Sequence, residues 1–119
     1  MTSNDFINIL DKYIKNTTAR GVISVLEKPP GKKPDKKLIE TSNWYIRLND
    51  DDKKMVASIV NDTVKSALFN FLCVIDGVIA IESSGKKGRL ELSFCKDNER
   101  VLLNDPGEEY LHDKFKGLE

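Results

Sequence analysis

One stretch near the middle of the chain constrains the fold more than any other part of the sequence. Between residues 55 and 75, apolar residues recur at intervals of three and four, which is the spacing of one face of an α-helix. This face continues for about six helical turns, and it consists of Met55, Val56, Ile59, Val60, Val64, Ala67, Leu68, Phe71, Leu72 and Ile75. We therefore predict one long helix as the core element of the fold, interrupted at Asp76-Gly77.

The second half of this helix is more apolar than the first half. From Ala67 onward, further apolar side chains lie outside the main stripe, namely Phe69, Cys73 and Val74. A helix that is apolar on every side has to be covered on every side. We therefore expect this half to be buried, with Leu68 and Phe71 among the core residues.

A shorter helical segment is predicted at the beginning of the chain. It begins near Ser3 or Asn4, because either residue is a competent N-cap, and its apolar stripe is Phe6, Ile9, Leu10, Tyr13 and Ile14. Gly21 is expected to break or kink it. Residues 22–26 then form a short second helix, although their β-branched side chains also fit a strand.

A third helical segment is predicted after the turn Pro29-Pro30-Gly31. It starts at Pro34-Asp35, since proline and an acid both suit a first turn, and it ends near Leu48. Asn49 or Asp50 then caps the long helix. The apolar side of the third segment is expected to contain Leu38, Ile39, Tyr45, Ile46 and Leu48, with Trp44 beside them.

A β-hairpin and a last helix are predicted after the long helix. Leu90, Leu92 and Phe94 alternate with polar residues, as in a half-buried strand, and residues 101–103 form the return strand. Residues 108–116 form the last helix, which ends at Gly117 and turns Tyr110, Leu111 and Phe115 inward. A third strand is left open, from Val22–Leu26, from Val78–Ile81 or from a second subunit.

The predicted fold class is α+β, mostly α. One small helical domain over residues 1–119 surrounds the long central helix and carries a C-terminal β-hairpin and a short terminal helix. A length of 119 residues and a mass of 13.5 kDa suit a single domain.

Composition excludes several functional classes. With 19 basic and 19 acidic residues the net charge is zero, which disfavours a nucleic-acid binder that depends on bulk positive charge. The sequence shows neither a stretch of ~18 to 20 apolar residues for a membrane span nor a secretory signal. We expect a cytoplasmic protein without a membrane partner. In that reducing compartment the thiols of Cys73 and Cys95 are expected to be free, with Cys73 buried.

The charges are unevenly distributed along the chain. Residues 1–48 carry nine basic and five acidic residues, a net +4, and residues 97–119 carry three and seven, a net −4. We expect these ends to complement each other within the fold or between subunits. The edge of the hairpin gives a second route to association, so a homodimer that uses the hairpin or the adjoining terminal helix is predicted.

The sequence contains no recognisable catalytic motif. Gly85-Lys86-Lys87-Gly88 lacks phosphate-loop spacing, and the cysteines have no metal-ligand spacing with His112, so neither a cofactor nor a metal is expected. Asp76 lies among apolar neighbours, where it is expected to cap a helix end or to pair with a cation such as Arg20 or Arg47. The candidate binding residues are Trp44, Arg47, Asp76, Glu82 and His112.

Three stretches of the chain resemble a group of short bacterial proteins of unknown function. They are Pro29-Pro30-Gly31, the run from Phe71 to Gly77, and the run Leu102-Leu103-Asn104-Asp105-Pro106 followed by Glu109 to Asp113. The resemblance covers most of the chain in the same order. It implies a stand-alone cytoplasmic bacterial domain, and it implies no activity.

Three functional hypotheses follow from these observations, and one of them is a structural homo-oligomer in which the edges of the hairpin pair. The first is a non-catalytic protein-binding or interaction module, of which an immunity protein that blocks a toxin is one form. The alternative is a small enzyme or ligand-binding domain that uses acidic residues near Asp76 and His112. A deep pocket lined by Asp76, Glu82 or His112 would favour the second hypothesis, and a flat charged surface would favour the first.

Overall fold

The fold consists of five α-helices, one π-helical segment and one hairpin within residues 1–118, which the computed structural model describes. The elements are α1 (Ser3–Ile9), the π-helical segment (Leu10–Lys15), α2 (Asn16–Glu27), α3 (Lys36–Ile46), α4 (Asp50–Ile75), β1 (Ser93–Lys96), β2 (Glu99–Leu102) and α5 (Leu111–Lys116). The predicted class is confirmed: a mostly α, α+β chain with a long helix, a C-terminal hairpin and a short terminal helix.

The chain divides into two compact units. Unit 1 contains Met1–Lys12 and Ser66–Glu119, and unit 2 contains Tyr13–Lys65. Unit 1 therefore combines the two ends of the chain with the second half of α4, whereas unit 2 is one continuous stretch. That residues 1–119 act as a single domain stays a prediction.

The first helix begins one residue earlier than predicted. Thr2 is its N-cap: the Thr2 hydroxyl accepts a hydrogen bond from the Asp5 backbone N–H, and the Asp5 carboxylate accepts one from the Thr2 backbone N–H. This reciprocal capping box satisfies two backbone donors. The Thr2 backbone N–H, and after it the Thr2 hydroxyl, lower the pKa of Asp5 from its usual value.

The predicted break at Gly21 is wrong, whereas the helix predicted over residues 22–26 is observed and its strand alternative is not. Helical structure is continuous from α1 through the π-helical segment to Glu27. A glycine inside a helix costs only about 1 kcal/mol, which neighbouring turns absorb. The irregularity lies instead at Leu10–Lys15, where the wider π-helical turn replaces the α-helix.

The core of unit 1 joins elements from distant parts of the chain. Ile7 of α1, Leu72 of α4, and Leu111 and Phe115 of α5 form one buried cluster. Partly buried apolar side chains pack around it: Phe6, Leu10, Leu68, Phe69, Ile75 and Leu92. This cluster fixes α5 against α1 and the end of α4.

A polar contact also joins the two ends of the chain in unit 1. The Lys114 ammonium donates to the buried Ser3 hydroxyl at 2.6 Å, and it lies 3.8 Å from the Glu108 carboxylate. The Ser3 hydroxyl in turn lies 3.4 Å from the same carboxylate oxygen. Ser3 therefore satisfies its buried hydroxyl while it holds α1 next to α5.

Unit 2 has a much smaller core. Its α2 and α3 pack together, and Leu26 and Tyr45 are its buried apolar side chains within the described residues. The Ser42 hydroxyl, also buried, donates to the Leu26 carbonyl at 2.6 Å. The Lys53 ammonium lies 5.6 Å from the centre of the Tyr45 ring, within cation–π range.

Two residues predicted for the inner side of α3 are exposed. Ile39 is 38% exposed and Ile46 is 52% exposed. The inner stripe consists instead of Leu38, Ser42 and Tyr45, spaced by four and three residues. The polar side chain of Ser42 gives no apolar signal in the sequence. It can be buried because its hydroxyl donates to a backbone carbonyl.

The long helix is observed as predicted, with Asn49 as its cap: the Asn49 side-chain oxygen accepts from the Asp52 backbone N–H at 2.7 Å. However, the predicted covering of its second half is wrong. Leu72 and Cys73 are buried, whereas Phe71 is 58% exposed. One side of the helix packs on the core of unit 1, and the other side contacts solvent.

By length and composition alone, α4 could also cross a membrane, and 11% of its most apolar window is buried. A core helix of a water-soluble protein passes the same test, so this property is weak evidence. The predictions of a cytoplasmic location and of no membrane partner stay predictions.

The hairpin is observed, but both strands lie closer to the turn than predicted. Strand β1 begins at Ser93 rather than near Leu90, and β2 spans Glu99–Leu102 rather than residues 101–103. The antiparallel register pairs Ser93 with Leu102 and Lys96 with Glu99. Asp97 takes a positive φ of 53° in the two-residue turn, a conformation that Asp tolerates better than most residues. Neither Val22–Leu26 nor Val78–Ile81 adds a strand, because the first is helical and the second is irregular.

The last helix begins three residues later than predicted. It starts at Leu111, with Tyr110 as its N-cap, and ends at Gly117 as expected. Leu111 and Phe115 are buried, which confirms their predicted inward orientation. Tyr110 was predicted on the same side but is 44% exposed, because it lies outside the helix.

Candidate functional site

Asp76 links the end of α4 to the start of α5. It directly follows the last residue of α4, and Gly77 behind it takes the left-handed conformation, with φ of 81°, that ends many helices. Its carboxylate accepts hydrogen bonds from the backbone N–H groups of Leu111, at 3.2 Å, and His112, at 2.9 Å. These are the first two N–H groups of α5. The predicted capping role of Asp76 is confirmed.

His112 provides a third donor to the same carboxylate. Its Nδ1 lies 2.7 Å from the Asp76 Oδ2 atom. Because an ionised carboxylate only accepts, Nδ1 carries the proton in this contact. The other ring nitrogen, Nε2, lies 3.4 Å from a carboxylate oxygen of the more exposed Asp113.

Two aromatic rings fix the orientation of the His112 imidazole. The Tyr110 ring is stacked on it, with ring centres 5.3 Å apart and an interplanar angle of 22°. The Phe69 ring meets it edge to face at 5.6 Å and 81°. The His112 side chain is 12% exposed and the Asp76 side chain is 1% exposed, so the pair is held rigidly and largely out of water.

This arrangement is structural in its chemistry. Asp76 already accepts three hydrogen bonds, and two of them come from backbone groups that a helix start leaves unsatisfied. No hydroxyl or thiol contacts His112 among the hydrogen bonds that the structure gives for this histidine. A triad of nucleophile, base and orienting acid is therefore not assembled here.

Cys73 does not supply a nucleophile either. It is buried on α4 and its thiol is free. Burial raises the pKa of the Cys73 thiol, and the negative charges of Asp76 and Asp113 raise it further. A thiol whose pKa is raised is protonated at neutral pH and is a poor nucleophile.

Asn104 is a positioning residue that the sequence analysis missed. Its side-chain amide donates to the carbonyls of Ile75, at 3.0 Å, and Leu90, at 2.8 Å, while its oxygen accepts from the Leu92 N–H at 2.8 Å. It thus joins the end of α4 to the segment before β1. Asn104-Asp105-Pro106-Gly107 is a turn sequence, and no local signal distinguishes such an asparagine.

A cleft of about 340 Å³ lies next to Asp76 in unit 1. Its apolar lining includes Ile79, Ile81 and Leu90, and Tyr110 also lines it. Charged side chains of both signs complete the wall: Asp76, Glu82, Lys87 and Arg89. His112 is not part of this lining, so two of the predicted site residues, Asp76 and Glu82, share the cleft.

Glu82 and Arg89 contribute to the shape of this cleft. One oxygen of the Glu82 carboxylate accepts from the Gly88 backbone N–H at 2.9 Å and so closes the loop between them. The Arg89 guanidinium donates to the Asn104 carbonyl at 3.2 Å. The loop backbone is thereby anchored at both of its ends.

Trp44 and Arg47, the other two predicted site residues, lie on α3 in unit 2. Trp44 is 48% exposed. The Nε atom of Arg47 donates to the Asn43 carbonyl at 3.1 Å, and that of Arg20 donates to the Asn16 carbonyl, so both guanidinium groups bond within their own helices. The expected cation partner of Asp76 is therefore wrong, because His112 takes that place.

Unit 2 exposes many large apolar side chains besides Trp44. They occur on the π-helical segment, on α2, on α3 and on the first half of α4. They are Tyr13, Ile14, Val22, Ile39, Ile46, Met55 and Ile59. Single exposed apolar residues are normal in proteins. Within the described residues unit 1 exposes as many large apolar side chains but buries six apolar residues, whereas unit 2 buries two.

Within residues 1–118 no group of three His, Cys, Asp or Glu side chains is placed so that it could hold a metal ion. The comparisons with known proteins give no relative: no protein-family model, no curated protein and no solved structure matches this chain.

Proposed function

We propose that this chain is a non-catalytic protein-binding module and that unit 2 carries its binding surface. The observation that carries the proposal is the imbalance in unit 2, where eight large apolar side chains are exposed and two are buried. A contiguous stretch of about 50 residues is near the lower limit for an independent core. Burial against another protein would supply the apolar contacts that unit 2 lacks.

The residue types on α3 also fit a protein interface. Trp and Arg are the residues that most often dominate the binding energy of such interfaces. Trp44 and Arg47, the C-cap residue, are one helical turn apart at the C-terminal end of α3. Ile46 is also exposed, on a different side of the helix from Trp44, because residues two apart do not face each other.

One observation favours the alternative, a small enzyme or ligand-binding domain, namely the cleft of about 340 Å³ that Asp76 and Glu82 help to line. The Asp76–His112 pair itself is already used to hold α5.

The proposal rests on the sequence resemblance only for its biological setting, a cytoplasmic bacterial protein. An immunity protein remains one concrete form of such a module. The partner of such a module would be a protein rather than a nucleic acid, since a net charge of zero does not favour nucleic-acid binding.

Affinity capture with matched variants tests this function. A tagged chain is mixed with bacterial cytoplasmic extract and, in a parallel sample, with an untagged copy of itself. We expect the tagged wild type and the Phe71→Ser variant to retain an extract protein, the untagged copy or both. The Trp44→Ser/Ile46→Ser variant should retain neither. Phe71 is the matched control, because it is an aromatic residue of similar exposure in unit 1.

Circular dichroism first verifies that all three chains fold. The proposal fails if the wild type retains neither an extract protein nor the untagged copy. It also fails if the Trp44→Ser/Ile46→Ser variant retains as much protein as Phe71→Ser, because the binding surface would then lie outside α3.

A further inference from the structure

We propose that the partner of the α3 surface is a second copy of this chain, and that Trp44 of each copy occupies the cleft in unit 1 of the other. This inference rests on the proposed protein-binding function and names its partner. The cleft is the one of about 340 Å³ that Ile79, Ile81 and Tyr110 help to line. Two observations carry the inference: the charges of the two units and the chemistry of the cleft.

The charges of the two units are complementary. Residues 13–65, which form unit 2, carry eleven basic and seven acidic residues, a net +4. Residues 1–12 and 66–119, which belong to unit 1, carry eight basic and twelve acidic residues, a net −4. Unit 2 of one copy is therefore attracted to unit 1 of another copy, whereas contacts between like units would be repulsive.

The basic charge of unit 2 is concentrated next to α3. Five lysines lie between residues 28 and 37, against one acid, Asp35, and all five are exposed: Lys28, Lys32, Lys33, Lys36 and Lys37. The last two are the first residues of α3. A positive field thus flanks the same helix that exposes Trp44.

The chemistry of the cleft fits an indole ring. Apolar side chains and the Tyr110 ring supply surface for it, and Lys87 and Arg89 are cations of the kind that interact with the face of an indole. The volume of about 340 Å³ is at the lower end of the range for small-molecule pockets. It is large enough for one tryptophan side chain.

A matching ion pair accompanies the indole. Arg47 lies one turn after Trp44 on α3, and residues three apart on a helix are neighbours on its surface. Glu82 lies in the wall of the cleft, and one oxygen of its carboxylate is occupied by the Gly88 N–H. When Trp44 of one copy enters the cleft, Arg47 of that copy meets the second oxygen of Glu82 of the other.

A two-fold axis makes the contact twice, with each Trp44 in the opposite cleft, and closes the assembly without forming a filament.

The single tryptophan of the chain makes this geometry measurable. We expect light scattering coupled to gel filtration to show a dimer that dissociates on dilution. Over the same concentrations the emission of Trp44 should move to shorter wavelength as the dimer forms, because the indole leaves water. A tenfold or larger rise in the dissociation constant is expected for Trp44→Ser, as for a central interface residue.

Two further variants separate this arrangement from other dimers. Arg47→Gln and Glu82→Gln should each weaken the dimer, and the double variant should lose no more than the larger single loss, because both changes remove the same ion pair. The amide oxygen introduced at position 82 can still accept from the Gly88 N–H. Ala80→Phe should fill the cleft, since Ala80 lines it and is exposed. A mixture of Trp44→Ser and Ala80→Phe should form heterodimers, which retain one intact contact, while neither variant dimerises alone.

Other results would overturn the inference. A monomer at all concentrations overturns it, and it leaves the proposed function standing if the chain still retains an extract protein through α3. A dimer in which Trp44 emission is unchanged, in which the losses of Arg47→Gln and Glu82→Gln simply add, or in which Trp44→Ser and Ala80→Phe do not complement each other also overturns it.

Discussion

Units 1 and 2 both contain helices with an apolar stripe, yet they bury different numbers of apolar residues. Within residues 1–118, unit 1 buries six apolar residues and unit 2 buries two. The six are Ile7, Leu72, Cys73, Leu103, Leu111 and Phe115, and the two are Leu26 and Tyr45.

The difference follows from the chain segments that each unit combines. In unit 1, α1 and α5 come from opposite ends of the chain and pack around the second half of α4. Unit 2 contains consecutive segments, of which α2 and α3 pack together. The spacing of apolar residues predicts which of them share a face of a helix. Whether that face is buried depends on the packing of other segments of the chain, about which the spacing gives no information.

The largest expected effect contrasts two neighbouring residues of α4. Leu72→Ala should destabilise the fold by about 2–5 kcal/mol, because it leaves a cavity in a fully buried cluster. Phe71→Ala should cost less than about 1 kcal/mol, because the Phe71 side chain is mostly in water. Urea unfolding of both variants measures these values. Equal losses would contradict the assignment of the core to one side of α4.

Phe71 shows how far the sequence predicts this fold. Its place in the 3.6-residue stripe correctly predicts a long helix over Met55 to Ile75. Apolar residues surround the helix after Ala67, and this pattern predicts that other segments cover the helix on all sides. In the structure the Phe71 side chain is mostly exposed. The spacing of residues within one helix contains no information about which side neighbouring segments cover.

The site was predicted in part for a related reason. An aspartate beside apolar residues at the end of a helix has to be satisfied, so the capping role of Asp76 follows from the sequence. The groups that it caps lie 35 and 36 residues later, at Leu111 and His112. That pairing depends on the tertiary packing of α5. Asn104 was missed because it bridges three segments, none of which signals it locally.

The second prediction concerns this connection inside unit 1. Asp76→Ala should cost about 2–4 kcal/mol, because it leaves two helix N–H groups and the His112 Nδ1–H without their buried acceptor. Asp105→Ala is the matched control: its carboxylate also accepts from a backbone N–H, that of Gly107, but it is exposed. Urea unfolding should show less than about 1 kcal/mol for the control. A similar loss for both would contradict the role of Asp76.

A smaller effect is expected for the corresponding contact in unit 2. Ser42→Ala removes the buried hydroxyl that donates to the Leu26 carbonyl, and it should cost about 1 kcal/mol. Thr41→Ala removes an exposed hydroxyl that donates to the Lys37 carbonyl within α3, and it should cost close to zero. Thermal unfolding of the two variants compares them. If Thr41→Ala were the more destabilising, the inner side of α3 would be assigned wrongly.

The smallest expected effect is on reactivity rather than on stability. Cys73 is buried in unit 1 and Cys95 is exposed on β1, so a thiol reagent should modify Cys95 rapidly and Cys73 only after denaturation. Because burial raises the pKa of Cys73, the folded state holds the thiol proton more tightly than the unfolded state. The contribution of Cys73 to stability is therefore complete below the unfolded pKa and declines as the pH rises through the folded pKa. Labelling followed by mass spectrometry at neutral and alkaline pH, with Cys73→Ser as the control, measures both behaviours. Rapid labelling of Cys73 in the native protein at neutral pH would contradict the placement of Cys73 in a closed core of unit 1.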